Sequence, residues 1–425
     1  MSKKLSLRVR QPGYVFMSSD YSQQEPKLCA VVSGDQTMVE GFKQGKDAYA
    51  MIASVSFNKP YEQCLEFHPE THEYQPDGKA RRSEAKSVLL GVLYGRSIPS
   101  IADQLYGKRD DMTDDQKQKA AQKVFDAVMN AFPGLRRFMI SSQKACAKRG
   151  FTETVLGRRR HLPDMTLKPF EFKAMPGYVN PDIDPLDINT LQNKSEIPER
   201  IIRSLEEEFS KYKYFGQIAR RTKELYQEKI KVINNKPKIT DATRQVVNSI
   251  VQGSAADLTK MAVLELERDP EWKRIGGRLL VPVHDELCAE VPIDYAEEGA
   301  KLLSDCMCRA ADFMPFAITC DVETSLRWYG MSYPCPYSKP QSLDDMSEDN
   351  VKWVQYMLTE MEYQLPVFND KDGSKPRGDA ARGVNGVVTD EFDAALSDYM
   401  KTRNIAYSNF IPAIEQEVLY GVKSL

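Results

Sequence analysis

Hydrophobic positions near the start of the chain change from strand-like to helix-like spacing. Residues Tyr14 to Met17 form a short β-type run that ends close to Asp20, so a carboxylate is expected at the end of a strand. Helix-like spacing follows over residues 25–32 and 46–56. Several Pro and Gly then predict a loop over 57–79.

The middle of the chain combines helical patterns with one short hairpin. Residues 81–94 predict a helix on which Arg82 and Lys86, four residues apart, share one face. Thr113 and Gln116 have the spacing of a capping box at the start of the next helix. The segment 150–161 predicts a β-hairpin.

The second half contains a long helix and a second hairpin. The predicted helix runs from Arg244 to about residue 262, and Arg244, Asn248 and Gln252 are spaced along one of its edges. Strands over 279–283 and 287–291 predict a hairpin, although Pro282 argues against a central position for the first strand. The turn carries His284, Asp285 and Glu286, and two further helices are predicted over 349–363 and 390–403.

Composition changes this picture by exclusion. Among 425 residues, 58 Lys and Arg against 61 Asp and Glu give a net charge of -3, so nucleic acid would have to be bound by local clusters of cations. No apolar run approaches the ~18 residues of a membrane helix, and no secretory signal is expected. The 8 Cys are scattered without paired spacing, which predicts reduced thiols rather than disulfides.

Two carboxylates at strand ends and two cations on one helix form a combination suited to phosphoryl chemistry. Asp20 and Asp285 offer the hard oxygen ligands that Mg²⁺ prefers, and Arg82 and Lys86 can neutralise phosphate charge. Each of these features alone is more often a turn carboxylate or a solvated helix face.

The order and spelling of five segments resemble those of the family A DNA polymerases. The first and second catalytic motifs of that family resemble FMSSDYSQQEPKLCAVVSGD and RRSEAKSVLLGVLYG. The third motif and the helix before it resemble LVPVHDELCAEV and RQVVNSIVQGSAADLTKMA. The family's hairpin at the end of the fingers resembles GFTETVLGRRRHLPDM.

This resemblance implies an α+β fold with an antiparallel-sheet palm and a helical fingers domain. The expected boundaries are palm at 1–45 and 244–335, fingers at 46–163, a helical insertion at 164–243 and a C-terminal appendage at 336–425.

The implied activity is template-directed addition of deoxynucleotides (dNTPs) to a primer 3′-hydroxyl. The resemblance implies that Asp20 and Asp285, with the carbonyl of Tyr21, hold two Mg²⁺ ions. Glu286 belongs to the same catalytic motif and Lys86 is counted among the catalytic residues.

Further roles follow residue by residue from the same motifs. Arg82 and Lys86 are expected to bind the nucleotide phosphates, with Gln23 nearby, and Tyr94 to pack beside the nascent base pair. Glu25 is expected to exclude a ribose 2′-hydroxyl, together with an aromatic partner. Leu90 stands where most relatives place an aromatic residue against the incoming sugar, and Tyr49 stands where relatives often place a His.

Primer-template DNA is the second implied partner. Arg244, Asn248 and Gln252 are expected to contact the minor groove, where acceptors recur in every correct pair, and His284 to lie beside the primer terminus. The segment Arg158 to Arg160 could contact DNA phosphates or form a charged hairpin tip.

Only about ten residues precede Gly13, whereas relatives carry a thumb and usually a proofreading domain before this point. A second polypeptide with a thumb, and with a possible 3′–5′ exonuclease, is therefore expected, in a split polymerase of phage origin that acts in the cytoplasm of an infected bacterial host. Segments 164–243 and 336–425 are candidate docking surfaces for it or for other replication proteins.

Two rival functions and two minor motifs complete the sequence interpretation. A catalytically silent DNA-binding scaffold would be expected to lack the motif carboxylates, and a single-subunit RNA polymerase would lack the carboxylate Glu25. Asp321 and Glu323 are interpreted as structural, and zinc binding by the Cys64, His68 and His72 spacing is not expected.

Overall fold

The computed structural model describes residues 12–183, 195–326, 341–344, 347–361, 363–368 and 383–420. The chain divides into two compact units, Met1–Gln24 with Ala255–Leu425, and Glu25–Ser254. Of the predicted segments, the extreme N-terminus, part of 164–243 and part of 336–425 lie outside the described residues.

Strands and helices alternate irregularly along the chain. The strands are β1 Tyr14–Tyr21, β2 Phe151–Glu153, β3 Arg159–His161, β4 Phe170–Ala174, β5 Ile230–Asn234, β6 Arg278–Val283, β7 Glu286–Pro292 and β8 Cys320–Ser325. The helices are α1 Gln24–Ser33, α2 Gln36–Lys43, α3 Ala48–Phe57, α4 Pro76–Leu93, α5 Ile98–Tyr106, α6 Asp114–Ala131, α7 Pro133–Arg149, α8 Glu199–Lys211, α9 Phe215–Gln227, α10 Lys236–Arg268, α11 Pro270–Arg274, α12 Ala296–Ala310, α13 Glu348–Glu360, α14 Asp390–Arg403 and α15 Phe410–Tyr420.

The first unit contains a four-stranded antiparallel sheet with the strand order β6-β7-β1-β8. One face of β1 is buried, and on that face the Tyr21 hydroxyl donates to the Met307 carbonyl of α12 at 2.8 Å. Because side chains alternate along a strand, Asp20 lies on the opposite face, where it is exposed. β6 is an edge strand among the described residues, which is a position that tolerates Pro282.

The C-terminal helices α13, α14 and α15 enclose a hydrophobic core of their own, which includes Trp353, Tyr356 and Phe392. This core also includes Leu326, just after β8. The Gly13 N–H, immediately before β1, donates to the Leu419 carbonyl at 3.0 Å. The C-terminal helices and the first strand are thus connected directly.

The second unit is mainly helical and carries one hairpin, β2-β3, and a second two-stranded antiparallel sheet, β4-β5. Asp35, which is only 1% exposed, connects two helices of this unit. Its carboxylate accepts from the Met38 N–H at the start of α2 at 3.0 Å, and from the N–H groups of Gly134 and Leu135 in α7 at 2.6 and 3.3 Å. One side chain therefore caps α2 and connects it to α7.

Within 164–243, β4, β5, α8 and α9 pack around a separate apolar cluster. Phe209 is at its centre, with ring centroids of Phe170 and Phe172 at 4.9 and 5.3 Å. The aromatic edge contacts explain why this segment forms a compact substructure.

Most predicted elements are confirmed, including the two hairpins over 151–161 and 278–292 and the capping box of Thr113 and Gln116. The predicted loop over 57–79 ends earlier than expected, because α4 begins at Pro76 and proline is well suited to a first helical turn. The long helix α10 also begins before the predicted start, with Pro237 in its first turn.

Seven cysteines are free thiols, as predicted, and the eighth, Cys335, lies outside the described residues. Over the parts of the chain that the structure describes, none of the helices has the length and apolarity needed to cross a membrane.

Replacement of Asp35 by Ala should lower the free energy of unfolding by about 2–4 kcal/mol, because three buried N–H groups lose their acceptor. Urea denaturation followed by circular dichroism measures this change. Asp115→Ala, at an exposed ion pair with Lys119, is the control and should change the same quantity by less than ~0.5 kcal/mol. Equal effects of the two substitutions would contradict the role given to Asp35.

Candidate active site

In the first unit, three acidic residues form a row across neighbouring strands. Asp20 on β1 is in register with Glu286 on β7 and with Asp321 on β8. Residues directly opposite each other in antiparallel strands lie on the same face, so the three side chains project from one side of the sheet. Like charges in such positions repel each other. This row would be unfavourable without a compensating cation.

Asp285 lies next to this row, in the turn between β6 and β7, and directly precedes Glu286 in the sequence. His284 before it has a φ of 56°, an uncommon conformation for a residue with a side chain. The Thr259 hydroxyl donates to the His284 carbonyl at 3.1 Å, and the Gln24 amide donates to the Thr259 oxygen at 3.3 Å. These hydrogen bonds hold the turn that carries Asp285.

The pKa of the Asp20 carboxyl reflects its partial burial and the charges of the neighbouring carboxylates. Partial burial raises the pKa of the Asp20 carboxyl, and the charges of Asp285, Asp321 and Glu286 raise it further. Asp20 and Asp285, which the sequence placed far apart, are therefore near enough to influence each other. Tyr21 and Gln23, the other candidate residues of this unit, follow Asp20 at the end of β1.

The donor chemistry of this row suits a hard divalent cation, because all of its side-chain ligands are carboxylates. Among the described residues, no three His, Cys, Asp or Glu side chains are grouped closely enough to enclose a metal by themselves. Mg²⁺ is commonly bound by one or two carboxylates together with substrate phosphates. Asp20 and Asp285 fit that mode of binding.

In the second unit, α4 carries the predicted phosphate-binding cations. The Arg82 guanidinium donates to the Asp47 carboxylate from two nitrogens, at 3.1 and 2.7 Å. The guanidinium carbon of Arg82 and the Nζ of Lys86 lie 5.3 and 5.7 Å from the centre of the Tyr49 ring. Tyr49 is buried, so one aromatic ring positions both cations.

Asp47 holds its position through backbone contacts as well. Its carboxylate accepts from the Ala50 N–H at 2.8 Å and caps α3, while its own N–H donates to the Tyr61 hydroxyl at 2.8 Å. Arg82 is therefore paired with a fixed carboxylate, whereas Lys86 is exposed.

Glu25 has the aromatic partner that the sequence interpretation required. The Tyr94 hydroxyl, at the end of α4, donates to both carboxylate oxygens of Glu25, at 3.0 and 2.8 Å. Burial and the negative charge of Glu25 raise the pKa of Tyr94 to about 12, and the Gln252 side chain also hydrogen-bonds to it. Leu90 precedes this network by one helical turn and accepts the Tyr94 N–H at 2.9 Å.

The three polar residues predicted on one edge of α10 all lie in that helix. Gly95, which has a φ of 66°, allows the chain after α4 to lie close to the backbone of α10, since a Cβ at this position would be only 2.8 Å from the Arg244 Cα. The Asn248 side-chain oxygen is buried and accepts no hydrogen bond from the residues that the structure describes. Arg244 and Gln252 are exposed.

The three arginines of the β2-β3 hairpin differ in their contacts. Arg158 donates to the Gly253 carbonyl at 2.9 Å, and Arg159 pairs with Glu153 at 3.1 Å. Arg160 lies in β3 and is exposed. These contacts account for two of the three side chains within the protein itself.

Two residues were not assigned to the site from the sequence. Asp321 was interpreted as structural, yet its register places it directly opposite Asp20. The alternating Asp-x-Glu pattern of β8 was a signal that it shares a face with Glu323. Asp47 was not assigned to the site, because its ion pair with Arg82 joins positions 35 residues apart, which no local pattern reveals.

The sequence pattern described as DNA polymerase family A matches residues 5–177 and 194–330. This match includes parts of the segment predicted as an insertion. The DNA polymerase I of Chloroflexus aurantiacus is 27% identical over 324 residues, which is 76% of this chain and 25% of that protein. A thermostable DNA polymerase I of Thermus thermophilus is 27% identical over 318 residues, covering 75% of this chain and 27% of that protein.

The chain thus spans about a quarter of the length of these curated relatives. Among solved structures, the POL domain of Pol1 from M. smegmatis, in complex with DNA primer-template and dNTP, is similar with a TM-score of 0.48 and 23% identity. That similarity covers 74% of this chain and 40% of the solved one.

Asp20→Asn should stabilise the metal-free protein near neutral pH by about 0.5 kcal/mol, because it removes repulsion within the carboxylate row. The folded-state pKa of Asp20 is raised, so protonation of Asp20 stabilises the fold below pH 3.8 and this contribution is lost as the pH rises through the folded value. The advantage of the Asn variant should therefore shrink as the pH falls toward 3.8.

Thermal unfolding with a chelator, at several pH values, measures this difference. Asp294→Asn, which removes an exposed carboxylate outside the row, is the control and should show a smaller gain. An unchanged melting temperature for Asp20→Asn near neutral pH would contradict the repulsion.

Proposed function

The chain belongs to DNA polymerase family A, and from that membership we propose that it adds deoxynucleotides to a primer 3′-hydroxyl under the direction of a template strand. The observation that carries this proposal is the pairing of Asp20 with Glu286 and Asp321 across three strands, with Asp285 in the adjoining turn. Such a concentration of carboxylates is suited to binding cations that accompany a triphosphate.

The two units are assigned parts of the polymerase accordingly. We propose that the sheet β6-β7-β1-β8 is the palm and that helices α3 to α7 belong to the fingers. The antiparallel order of the sheet and the helical content of the second unit support this assignment.

Asp20 and Asp285, with the Tyr21 carbonyl, are proposed to hold two Mg²⁺ ions. When bound, the ions supply charge neutralisation at the triphosphate and make the primer hydroxyl more acidic. Glu286 and Asp321 then add negative charge beside Asp20 and strengthen the preference for cations. Thr259 and Gln24 orient the turn so that Asp285 keeps its place.

The proposed reaction is a displacement at the α-phosphorus of the dNTP. The primer oxygen forms a bond to that phosphorus, the bond to the bridging oxygen of the β-phosphate breaks, and pyrophosphate leaves. The hydroxyl proton passes to solvent. Arg82 and Lys86 are proposed to bind the triphosphate oxygens, with Gln23 as a further polar contact. Lys86 is also proposed to act in catalysis, by stabilising the negative charge of the triphosphate during the displacement.

The Asp47–Arg82 pair has a consequence for nucleotide binding. An arginine that already donates two hydrogen bonds to a carboxylate must exchange them for bonds to phosphate. Tyr49 contacts both cations and limits their motion during that exchange. Nucleotide affinity would then depend on the balance between Asp47 and phosphate for one guanidinium.

Glu25 and Tyr94 are proposed to select the deoxyribose. A carboxylate held by a hydroxyl at 2.8 Å occupies a fixed position, so a 2′-hydroxyl beside it would be rejected by crowding and by unfavourable desolvation. Leu90, an aliphatic residue one turn earlier on the same helix, would contact the sugar without stacking.

Arg244, Asn248, Gln252 and His284 are proposed to contact primer-template DNA. The exposure of Arg244 and Gln252 on α10 supports this proposal, because their side-chain N–H groups can donate to acceptors in the minor groove. A companion polypeptide with a thumb and exonuclease, a phage origin and an infected bacterial cytoplasm stay predictions. Affinity capture from the native source tests the first of them.

Asp285→Asn should lower single-nucleotide incorporation by at least about 1,000-fold, since one carboxylate of the proposed cation pair is lost. Extension of a labelled primer by excess protein at low salt measures the rate. Asp294→Asn is the matched control and should keep the wild-type rate. Incorporation retained by Asp285→Asn would contradict the assignment, and no incorporation by the wild type would favour the scaffold alternative.

Glu25→Ala should raise the incorporation of ribonucleotides relative to deoxynucleotides by about 100-fold, because the carboxylate that meets the 2′-hydroxyl is removed. Tyr94→Phe should shift selectivity less, in the same direction, since Glu25 loses its donor. Relative kcat/KM values for the two sugars measure the effect, with Glu40→Ala on α2 as the control. Unchanged selectivity in an active Glu25→Ala protein would rule out the proposed role.

A further inference from the structure

A cluster of exposed aromatic residues lies at the start and along the outer face of α9. Tyr214, Phe215 and Tyr226 are 71%, 79% and 59% exposed. Among the described residues, these are the three most exposed aromatic side chains, and they belong to one short segment. Large apolar side chains grouped at a surface indicate an interaction site.

Helical spacing places Phe215 and Tyr226 on one stripe together with a cation. Phe215, Ala219, Lys223 and Tyr226 follow one another at intervals of three or four residues, and all four are exposed. The opposite side of the helix carries Leu225, which is buried in the cluster around Phe209. With a rise of ~1.5 Å per residue, the stripe extends for about 16 Å from Phe215 to Tyr226.

The charge around this stripe is positive. Lys213 precedes Tyr214 and Lys223 lies within the stripe. The Arg220 side chain, 86% exposed, lies beside it and pairs with Glu224 of the same helix at 3.2 Å. The acidic side chains Glu206, Glu207 and Glu208 of the neighbouring helix α8 each pair with a cation. Their partners are Lys168, Lys211 and Arg221.

The start of α9 is fixed before any ligand binds. The Gln217 side-chain oxygen accepts from the N–H groups of Lys213 and Tyr214, at 3.2 and 3.1 Å. These hydrogen bonds cap the helix and hold Tyr214 and Phe215 at the surface. The aromatic side chains thus project from an ordered backbone, which reduces the entropy lost on binding.

We infer that this face, defined by Tyr214, Phe215, Arg220, Lys223 and Tyr226, binds single-stranded DNA. Unpaired bases expose flat faces that stack on aromatic rings, and cations between the rings can pair with the phosphates that join the bases. Base pairs in a duplex keep their faces stacked on each other, so duplex DNA offers no such partner. Lys223 lies between Phe215 and Tyr226 on the stripe, so the rings do not form one continuous apolar patch, which favours a nucleic acid strand over a protein partner.

The test uses the full-length chain and a fluorescent oligothymidylate of about 16 nucleotides, which matches the upper range of such sites. Fluorescence anisotropy gives the dissociation constant, and a blunt duplex of the same length is measured in parallel. The double variant Phe215→Leu with Tyr226→Leu keeps apolar area and helix-forming residues but removes both aromatic faces.

For this double variant, the dissociation constant for oligothymidylate should rise at least about tenfold, while duplex binding stays unchanged. Phe215→Trp with Tyr226→Trp should retain wild-type binding, because stacking is preserved. Lys223→Gln should reduce the slope of log affinity against log salt by about 0.7, whereas Lys119→Gln on α6 should leave it unchanged.

Three outcomes would overturn the inference. One is wild-type oligothymidylate affinity in the Leu double variant, and another is an equal loss of duplex binding in that variant. The third is a failure of the Trp double variant to bind although its circular dichroism spectrum is native. The stripe would then be better explained by a protein partner or by general stabilisation of the fold. None of these outcomes depends on nucleotide incorporation, so they leave the proposed catalytic function to be judged separately.

Discussion

Electrostatic repulsion among carboxylates on adjacent strands is the constraint on which the first unit depends. The register of β1 with β7 and β8 places Asp20 between Glu286 and Asp321, and alternation along β1 puts Tyr21 on the buried face. A shift by one residue would reverse these positions and bury the acid. The hydrogen bond from Tyr21 to Met307 opposes such a shift, so packing on one face fixes the charges on the other.

In the second unit, candidate site residues form ion pairs and hydrogen bonds with each other, whereas the carboxylates of the first unit repel each other. Arg82 is bound to Asp47, and Tyr94 donates to Glu25, so each of these four side chains has a partner within the protein. Buried polar groups need such partners. A ligand that enters this unit has to compete with an existing contact, and that competition can provide selectivity as well as affinity.

Much of the fold followed from the sequence, and less of the site did. Local signals such as the Thr113 capping box and the β6-β7 hairpin depend on neighbouring residues and were predicted correctly. The Asp47–Arg82 pair depends on how α3 packs against α4, and the position of Asp321 depends on strand order. Such distant pairings are set by tertiary structure. The motif residues could be named only through their resemblance to a family, and their roles still require experiments.

The hydrogen bond from Gly13 to Leu419 has a mechanical implication for the first unit. It connects the residue that precedes β1 to the last helix of the C-terminal core, and the Ile293 N–H in turn donates to the Gly13 carbonyl. Binding of another protein to α15, or displacement of this helix, would therefore also affect the position of β1, which carries Asp20. Loss of that helix would free one end of β1 to fray, so transient opening would start at the backbone beneath the acidic row.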